Sequence, residues 1–161
     1  GRTSTGFLWV NYDAGQGGAT VATTLSALTA TLAAMPAAAG AASVTALINL
    51  GANDMSSGLP VEATWNANYL SIIAAIRAKW PTVNIYLMKP WIRGQDANAA
   101  TVASRIDTIV ATNPSYTFVG PDEAIWLKGN DDGATMTTDG THYSAAGNAE
   151  CVVQWAGVLW P

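Results

Sequence analysis

His142 is the only histidine in the chain, and it follows Asp139 by three residues in the segment Asp139-Gly140-Thr141-His142. An imidazole is the commonest group for general acid–base chemistry near neutral pH. In a turn that enters a helix, this spacing lets the carboxylate reach the ring Nδ1–H, fix the tautomer and stabilise the imidazolium. An exposed turn histidine, with Asp139 as a helix-capping or turn residue, explains the same spacing. The spacing alone leaves both interpretations open.

Two other segments could stabilise a developing negative charge. Gly17 and Gly18 precede a predicted helix, where free backbone N–H groups accept anions. Asn53, in Gly51-Ala52-Asn53-Asp54, could donate its amide to an oxyanion. Each pattern is weak alone, because Gly-Gly and Asn-Asp pairs are common in plain turns. The glycine spacing fits neither a dinucleotide fingerprint nor a phosphate loop.

The elements that would position these segments are visible in the hydrophobic pattern. Short apolar runs bounded by turn residues predict strands at 7–12, 44–50, 83–88 and 116–119, and longer periodic runs predict helices at 19–35, 60–80, 96–112 and about 144–160. This alternation is typical of right-handed βαβ units, so we expect a parallel sheet with helices on both faces. Such sheets bind ligands beyond the carboxyl ends of their strands, where all three segments should lie.

The predicted second helix has the clearest pattern. Its large apolar residues recur at steps of three and four and should form its core-facing stripe: Trp65, Tyr69, Ile72, Ile73, Ile76 and Trp80.

Together the three segments resemble the SGNH (GDSL-type) hydrolase family, whose four blocks carry a Ser, a Gly, an Asn and a His. Residues 13–20 are similar to the Gly block, which implies an oxyanion N–H on Gly18, although Asp13 stands where the family usually has Asn. The Asn block places the side-chain oxyanion donor on Asn53, and the Asp-x-x-His block makes Asp139 the orienter and His142 the base. The blocks follow the family order over essentially the whole chain.

The resemblance implies a fold and an activity. The fold is a three-layer α/β/α, flavodoxin-like parallel sheet with strand order 2-1-3-4-5, in a single domain covering residues 1–161. The activity is that of a serine ester hydrolase that forms an acyl-enzyme and needs no cofactor and no metal. Short-chain carboxylic esters, including O-acetyl groups on carbohydrate, are the substrates implied at the family level.

The family's first block, a strand followed by Gly-Asp-Ser, is absent from the chain. Ser4 is the nearest candidate nucleophile, but two residues before the predicted strand at 7–12 are too few for a parallel crossover. Ser56 and Ser57 are interpreted as turn residues after the Asn block. We therefore expect an N-terminally truncated domain, in which a preceding or separate segment of about 30 residues carries the serine and the central strand. A natural start at Gly1 in an inactive fold is the alternative.

Two residues after the third predicted strand are candidates for substrate binding. Trp91 could form a wall of the cleft and Arg93 an anchor, or both could be ordinary surface loop residues. The competing function is a non-catalytic binding or structural module that keeps this fold. The missing serine favours the module, whereas the joint presence of Gly18, Asn53, Asp139 and His142 favours an enzyme.

Composition excludes several other classes. Charged residues make up 11% of the chain and the net charge is -4, so the seven Lys and Arg build no basic stripe for nucleic acid. The Ala-rich stretch at 31–44 is interrupted by Pro36 and Gly40, so it cannot span a membrane. We expect a soluble domain without a membrane partner. Its compartment is not determined, and a secreted or extracellular location remains open.

Metal and thiol chemistry have little support. Cys151 is the only cysteine, so it cannot form an internal disulfide, and its helical pattern predicts a small buried hydrophobe. Residues 130–133 could begin a calcium loop, but the acidic residue expected at the twelfth position is missing. A metal-dependent hydrolase would need more histidines or a denser acidic cluster.

Overall fold

The computed structural model describes residues 18–35, 44–130 and 135–161. Helices and strands alternate along most of these residues, as the hydrophobic pattern predicts. In chain order the elements are α1 (Val21–Ala34), β1 (Thr45–Ile48), α2 (Ala52–Ser57), α3 (Glu62–Lys79), β2 (Asn84–Lys89), α4 (Asp96–Thr112), β3 (Thr117–Asp122), α5 (Glu123–Trp126) and α6 (Ala145–Leu159).

Four predicted helices and three predicted strands are confirmed, with boundaries that differ by at most three residues. The short helices α2 and α5 were not predicted, because each contains too few residues to show a helical period. Ser56 and Ser57 consequently lie in a helix rather than a turn, and their hydroxyls donate to the carbonyls of Ala52 and Asn53. The predicted strand at 7–12 lies outside the described residues.

The sheet is parallel, as expected. β1 pairs with β2 from Thr45 opposite Asn84 onward, and β2 pairs with β3 from Ile85 opposite Thr117 onward. The order β1-β2-β3 is the order that the resemblance implies for the last three strands of the family sheet. Among the described strands β1 is an edge, and its Leu47 is 45% exposed.

The core lies against the sheet, and α3 contributes more buried hydrophobic residues to it than any other described element. The stripe predicted on this helix is buried at Trp65, Tyr69, Ile72, Ile73 and Ile76, whereas Trp80 caps the helix and is only partly buried. α1 packs against α3, and α4 and α6 pack against β3. Cys151 on α6 is partly buried and packs against the core, close to its predicted environment.

The carboxyl ends of the three strands meet at one edge of the sheet. Asn49 follows β1 directly and Glu123 follows β3 directly, whereas Trp91 is separated from the end of β2 by one proline. This edge is therefore the place where loop side chains from distant parts of the chain can come together. No helix in the described part of the chain is long and apolar enough to cross a membrane.

Candidate active site

Asp139 and His142 form a direct side-chain pair. Oδ2 of Asp139 lies 2.7 Å from Nδ1 of His142, while Oδ1 accepts the backbone N–H groups of Thr141 at 2.9 Å and His142 at 2.8 Å. The carboxylate is thus held by three bonds in an orientation that keeps the proton on Nδ1 of the imidazole. No hydrogen bond from a described residue reaches Nε2, which leaves that nitrogen available to accept a proton.

Hydrogen bonding favours the charged form of Asp139. The His142 backbone N–H, the His142 ring and the Thr141 N–H together hold the pKa of Asp139 well below its ordinary value of 3.8. The pair is open to solvent, since 79% of the His142 side chain and 54% of the Asp139 side chain are exposed. The arrangement can therefore orient a general base and stabilise it after protonation.

The loop that carries the pair is fixed by backbone bonds. Thr137 and Tyr143 form an isolated antiparallel bridge, Thr138 N–H donates to the His142 carbonyl at 2.8 Å, and Ser144 N–H donates to the Met136 carbonyl at 2.9 Å. Ser144 then caps α6 through the Gly147 N–H. His142 consequently lies at the end of a tight turn that leads into a helix.

Arg93 holds this turn from outside. Its backbone N–H donates to the Gly140 carbonyl at 3.0 Å, and its guanidinium Nη2 donates to Thr137 Oγ1 at 3.0 Å. Thr137 Oγ1 also accepts the Gly140 N–H at 3.0 Å. The structure thus places Arg93 beside the loop that carries Asp139 and His142, and its guanidinium supports that loop. Its contact with substrate stays a prediction.

Trp91 is only 5% exposed, and its indole Nε1 donates to Asp96 Oδ1 at 2.7 Å. Part of it borders a pocket of about 290 Å³, whose charged lining residues are Asp96, Asp122 and Lys128. Most of the indole ring is thus buried in the interior, and little of its surface is exposed to form a cleft wall. A direct contact between Trp91 and substrate stays a prediction.

The two oxyanion candidates are brought close together. Nδ2 of Asn53 donates to the Ala19 carbonyl at 3.0 Å, so its amide lies next to the loop that begins with Gly18. Gly18 has φ +77, a conformation that favours glycine, and a side chain built there would meet open space. Among the described residues, the Asn53 amide donates one hydrogen bond, to the Ala19 carbonyl.

Asp54 anchors the segment that links Gly18 to α1. The side chain is buried, and Oδ2 accepts the N–H of Val21 at 3.0 Å, in the first turn of α1. Burial raises the pKa of Asp54, and the bond from Val21 partly offsets that effect. Its neighbour Asn53 is therefore held on a short helix that is tied to α1. Asp54 belongs to the segment 51–54, but nothing in the sequence pattern predicted that its side chain would be buried.

A second buried carboxyl, Glu123, was not singled out in the sequence at all. It accepts hydrogen bonds from the Trp91 backbone N–H, the Asn49 side chain and the Tyr143 hydroxyl. The one available signal was an acidic residue four positions after the predicted strand at 116–119, near the edge where ligands bind.

Other predictions fall on residues that the structure does not describe. Ser4, Asp13 and residues 131–133 of the candidate calcium loop lie outside the described residues. Within residues 18–35, 44–130 and 135–161, no hydrogen bond joins Asn53 to the Asp139–His142 pair. In the same ranges no group of three or more His, Cys, Asp or Glu side chains could hold a metal ion.

Comparison with known proteins bears on the fold and the class of reaction. The sequence profile described as the GDSL-like Lipase/Acylhydrolase family matches residues 2–150. A solved structure described as a "putative platelet activating factor from Streptococcus pneumonia" superposes with a TM-score of 0.65 at 19% identity, over 89% of this chain and 69% of that chain. At this identity the similarity concerns the fold alone. No curated protein sequence matches significantly.

Proposed function

Because the chain belongs to the GDSL-like lipase/acylhydrolase family, which makes it a hydrolase of the ester type, we propose that it acts as a serine ester hydrolase through an acyl-enzyme. One observation carries the proposal. The Asp139 carboxylate lies 2.7 Å from Nδ1 of His142 and is held there by two further backbone bonds. A carboxylate held so firmly against the only histidine has the geometry of the Asp–His pair that acts in acyl transfer.

The proposed reaction has two halves. Nε2 of His142 takes the proton of a serine hydroxyl, and the serine oxygen attacks the ester carbonyl carbon to form a tetrahedral oxyanion. The intermediate expels the alcohol, which receives the proton from His142. Water, activated by the same nitrogen, then attacks the acyl-enzyme and releases the carboxylic acid. Asp139 stays ionised throughout and stabilises the imidazolium.

Gly18 and Asn53 are the proposed oxyanion donors. The bond from Asn53 to the Ala19 carbonyl supports this role because it holds the amide beside the Gly18 backbone. Asp54, bound to the Val21 N–H, stiffens the same loop. Donors fixed in advance stabilise a developing charge without reorganising during the reaction, which is why they contribute strongly to rate.

We propose that the serine comes from a segment that precedes Gly1 or is supplied separately. The sequence lacks the Ser-bearing block of the family while it carries the other three. The edge position of β1 among the described strands supports the proposal, since the family's central strand would pair at that edge.

The proposed substrates are short-chain carboxylic esters, with O-acetyl groups on carbohydrate as the first class to test. The exposure of His142 supports small acyl groups, because a long acyl chain needs an extended apolar surface beside the base to leave water.

Hydrolysis of p-nitrophenyl acetate tests the function. The assay uses the chain joined to the residues encoded before Gly1, beside His142→Ala and the matched control Asn148→Ala, an exposed position on α6. We expect His142→Ala to lose at least about 10³-fold in kcat, as for triad residues elsewhere, and Asn148→Ala to keep full activity. Equal, slow hydrolysis by all three proteins would refute the catalytic assignment and favour a non-catalytic module.

A further inference from the structure

Glu123 is a buried carboxyl at the carboxyl end of β3. It is 4% exposed, and it receives hydrogen bonds on both oxygens. Oε2 accepts the Trp91 backbone N–H at 2.7 Å, while Oε1 accepts the Asn49 side-chain amide at 3.3 Å and the Tyr143 hydroxyl. A carboxyl that is so deeply buried persists in a fold only when donors of this kind compensate the loss of water.

The three donors come from three separate parts of the chain. Asn49 follows β1, Trp91 lies just beyond β2, and Tyr143 belongs to the loop that carries the base. Glu123 itself begins α5 directly after β3. One side chain therefore ties the ends of all three described strands to the catalytic loop. A core hydrophobe at this position could pack, but it could accept none of the three bonds.

Tyr143 connects Glu123 to His142, the proposed base. It is the residue next to His142 and forms the bridge with Thr137 that closes the loop. Its ring packs on Trp126 with a centroid distance of 5.7 Å, and its hydroxyl donates to Glu123 Oε1. The Tyr143 side chain is thus held at both its ring and its hydroxyl. Since the backbone of His142 continues directly into this residue, its position depends on where Tyr143 is held.

We infer that Glu123 is a positioning residue that holds His142 in place through Tyr143. It has no hydrogen bond to the Asp139–His142 pair and acts only through its neighbour. The catalytic consequence of this role rests on the proposed function, but the structural consequence does not. Removing the Glu123 carboxylate as an acceptor should loosen the loop around His142, while the helices that form the core stay folded.

Native-state amide hydrogen exchange on the chain tests the inference directly. The variants are Glu123→Gln, which keeps the size but replaces one acceptor by a donor, and Tyr143→Phe, which removes only the hydroxyl. The amides of Thr138 and Ser144 report on the loop, because they donate to the carbonyls of His142 and Met136. We expect their protection to fall at least about tenfold further than that of the Ile72 amide in α3, as for a lost charge-assisted bond.

The α3 amide separates a local effect from general destabilisation, because a lower global stability would speed exchange of the Ile72 amide at least as much as that of the loop amides. Glu62→Gln, an exposed acid in the first turn of α3, is the matched control and should leave the loop amides unchanged. If the Thr138 and Ser144 amides lose no more protection than Ile72 in either variant, the inference is wrong. Should Glu123→Gln not fold, Tyr143→Phe decides by the same criterion.

Ester hydrolysis by the chain with its preceding segment provides the second measurement. A positioning role predicts a lower kcat with an almost unchanged KM in both variants, because the loss concerns the orientation of the base and not substrate binding. Loosened loop amides without hydrolysis by any variant, the unmodified sequence included, would refute the proposed function and leave the structural inference standing. Full kcat together with loosened amides would refute the catalytic part of the inference.

Discussion

Gly140 lies between Asp139 and His142, so its replacement should disturb the loop that carries both residues. Its φ is +90, in the region that residues with a side chain rarely adopt. A Cβ at this position would lie 3.0 Å from Cβ of Arg93, which is closer than ordinary contact. Gly140→Ala therefore combines backbone strain with a steric conflict, in the turn that joins Asp139 to His142.

The size of the effect follows from these two terms. A side chain forced into the left-handed region costs about 1–3 kcal/mol. Arg93 cannot retreat freely, because its backbone N–H donates to the Gly140 carbonyl and its guanidinium to Thr137. For a chain of this size each kcal/mol lowers Tm by about 2–4 °C, so a cost of about 2 kcal/mol corresponds to a drop of about 4–8 °C.

Differential scanning calorimetry of Gly140→Ala beside Gly157→Ala measures this prediction. Gly157 lies on an exposed face of α6, and a Cβ there would meet no atom within 4 Å. Alanine at that helical position should stabilise the protein by about 0.5–1 kcal/mol and raise Tm. The two Gly→Ala changes should therefore move Tm in opposite directions. A Gly140→Ala variant that unfolds at or above the original temperature would refute the reasoning about the loop.

Three further predictions concern the two halves of the site. The pKa of Asp139 is lowered below 3.8, chiefly by the His142 backbone N–H. The ionised carboxylate therefore contributes stability that is present above about pH 3.8 and is lost as the pH falls through the lowered pKa. Asp139→Asn should flatten the acid limb of a pH–stability profile, and an unchanged limb would contradict this prediction. Asp54→Ala leaves a buried N–H without its acceptor and should cost about 1–3 kcal/mol in urea denaturation. Asp107→Ala, at a side chain that is 54% exposed beside Lys89, should cost less than about 1 kcal/mol. Asn53→Ala should lower kcat for ester hydrolysis by about 10²- to 10³-fold, and a loss below tenfold would exclude an oxyanion role.

Much of the architecture could be predicted because its signals are local. The stripe from Trp65 to Ile76 shows the helical period within one segment, and it is buried as expected. The parallel sheet follows from alternating strands and helices, since such connections leave few other topologies. The Asp139–His142 contact spans only three residues, so its spacing alone restricts the geometry.

The tertiary structure decided how that pair is supported. Arg93 looked like a candidate anchor for substrate, yet its guanidinium donates to Thr137, 44 residues away along the chain. Glu123 carried no distinctive pattern, yet its carboxyl joins Asn49, Trp91 and Tyr143. Which donor meets which acceptor depends on how strands of different length and register bring their ends together. That information is a property of the assembled sheet, whereas the period of a helix and the spacing within a turn are already present in a short stretch of sequence.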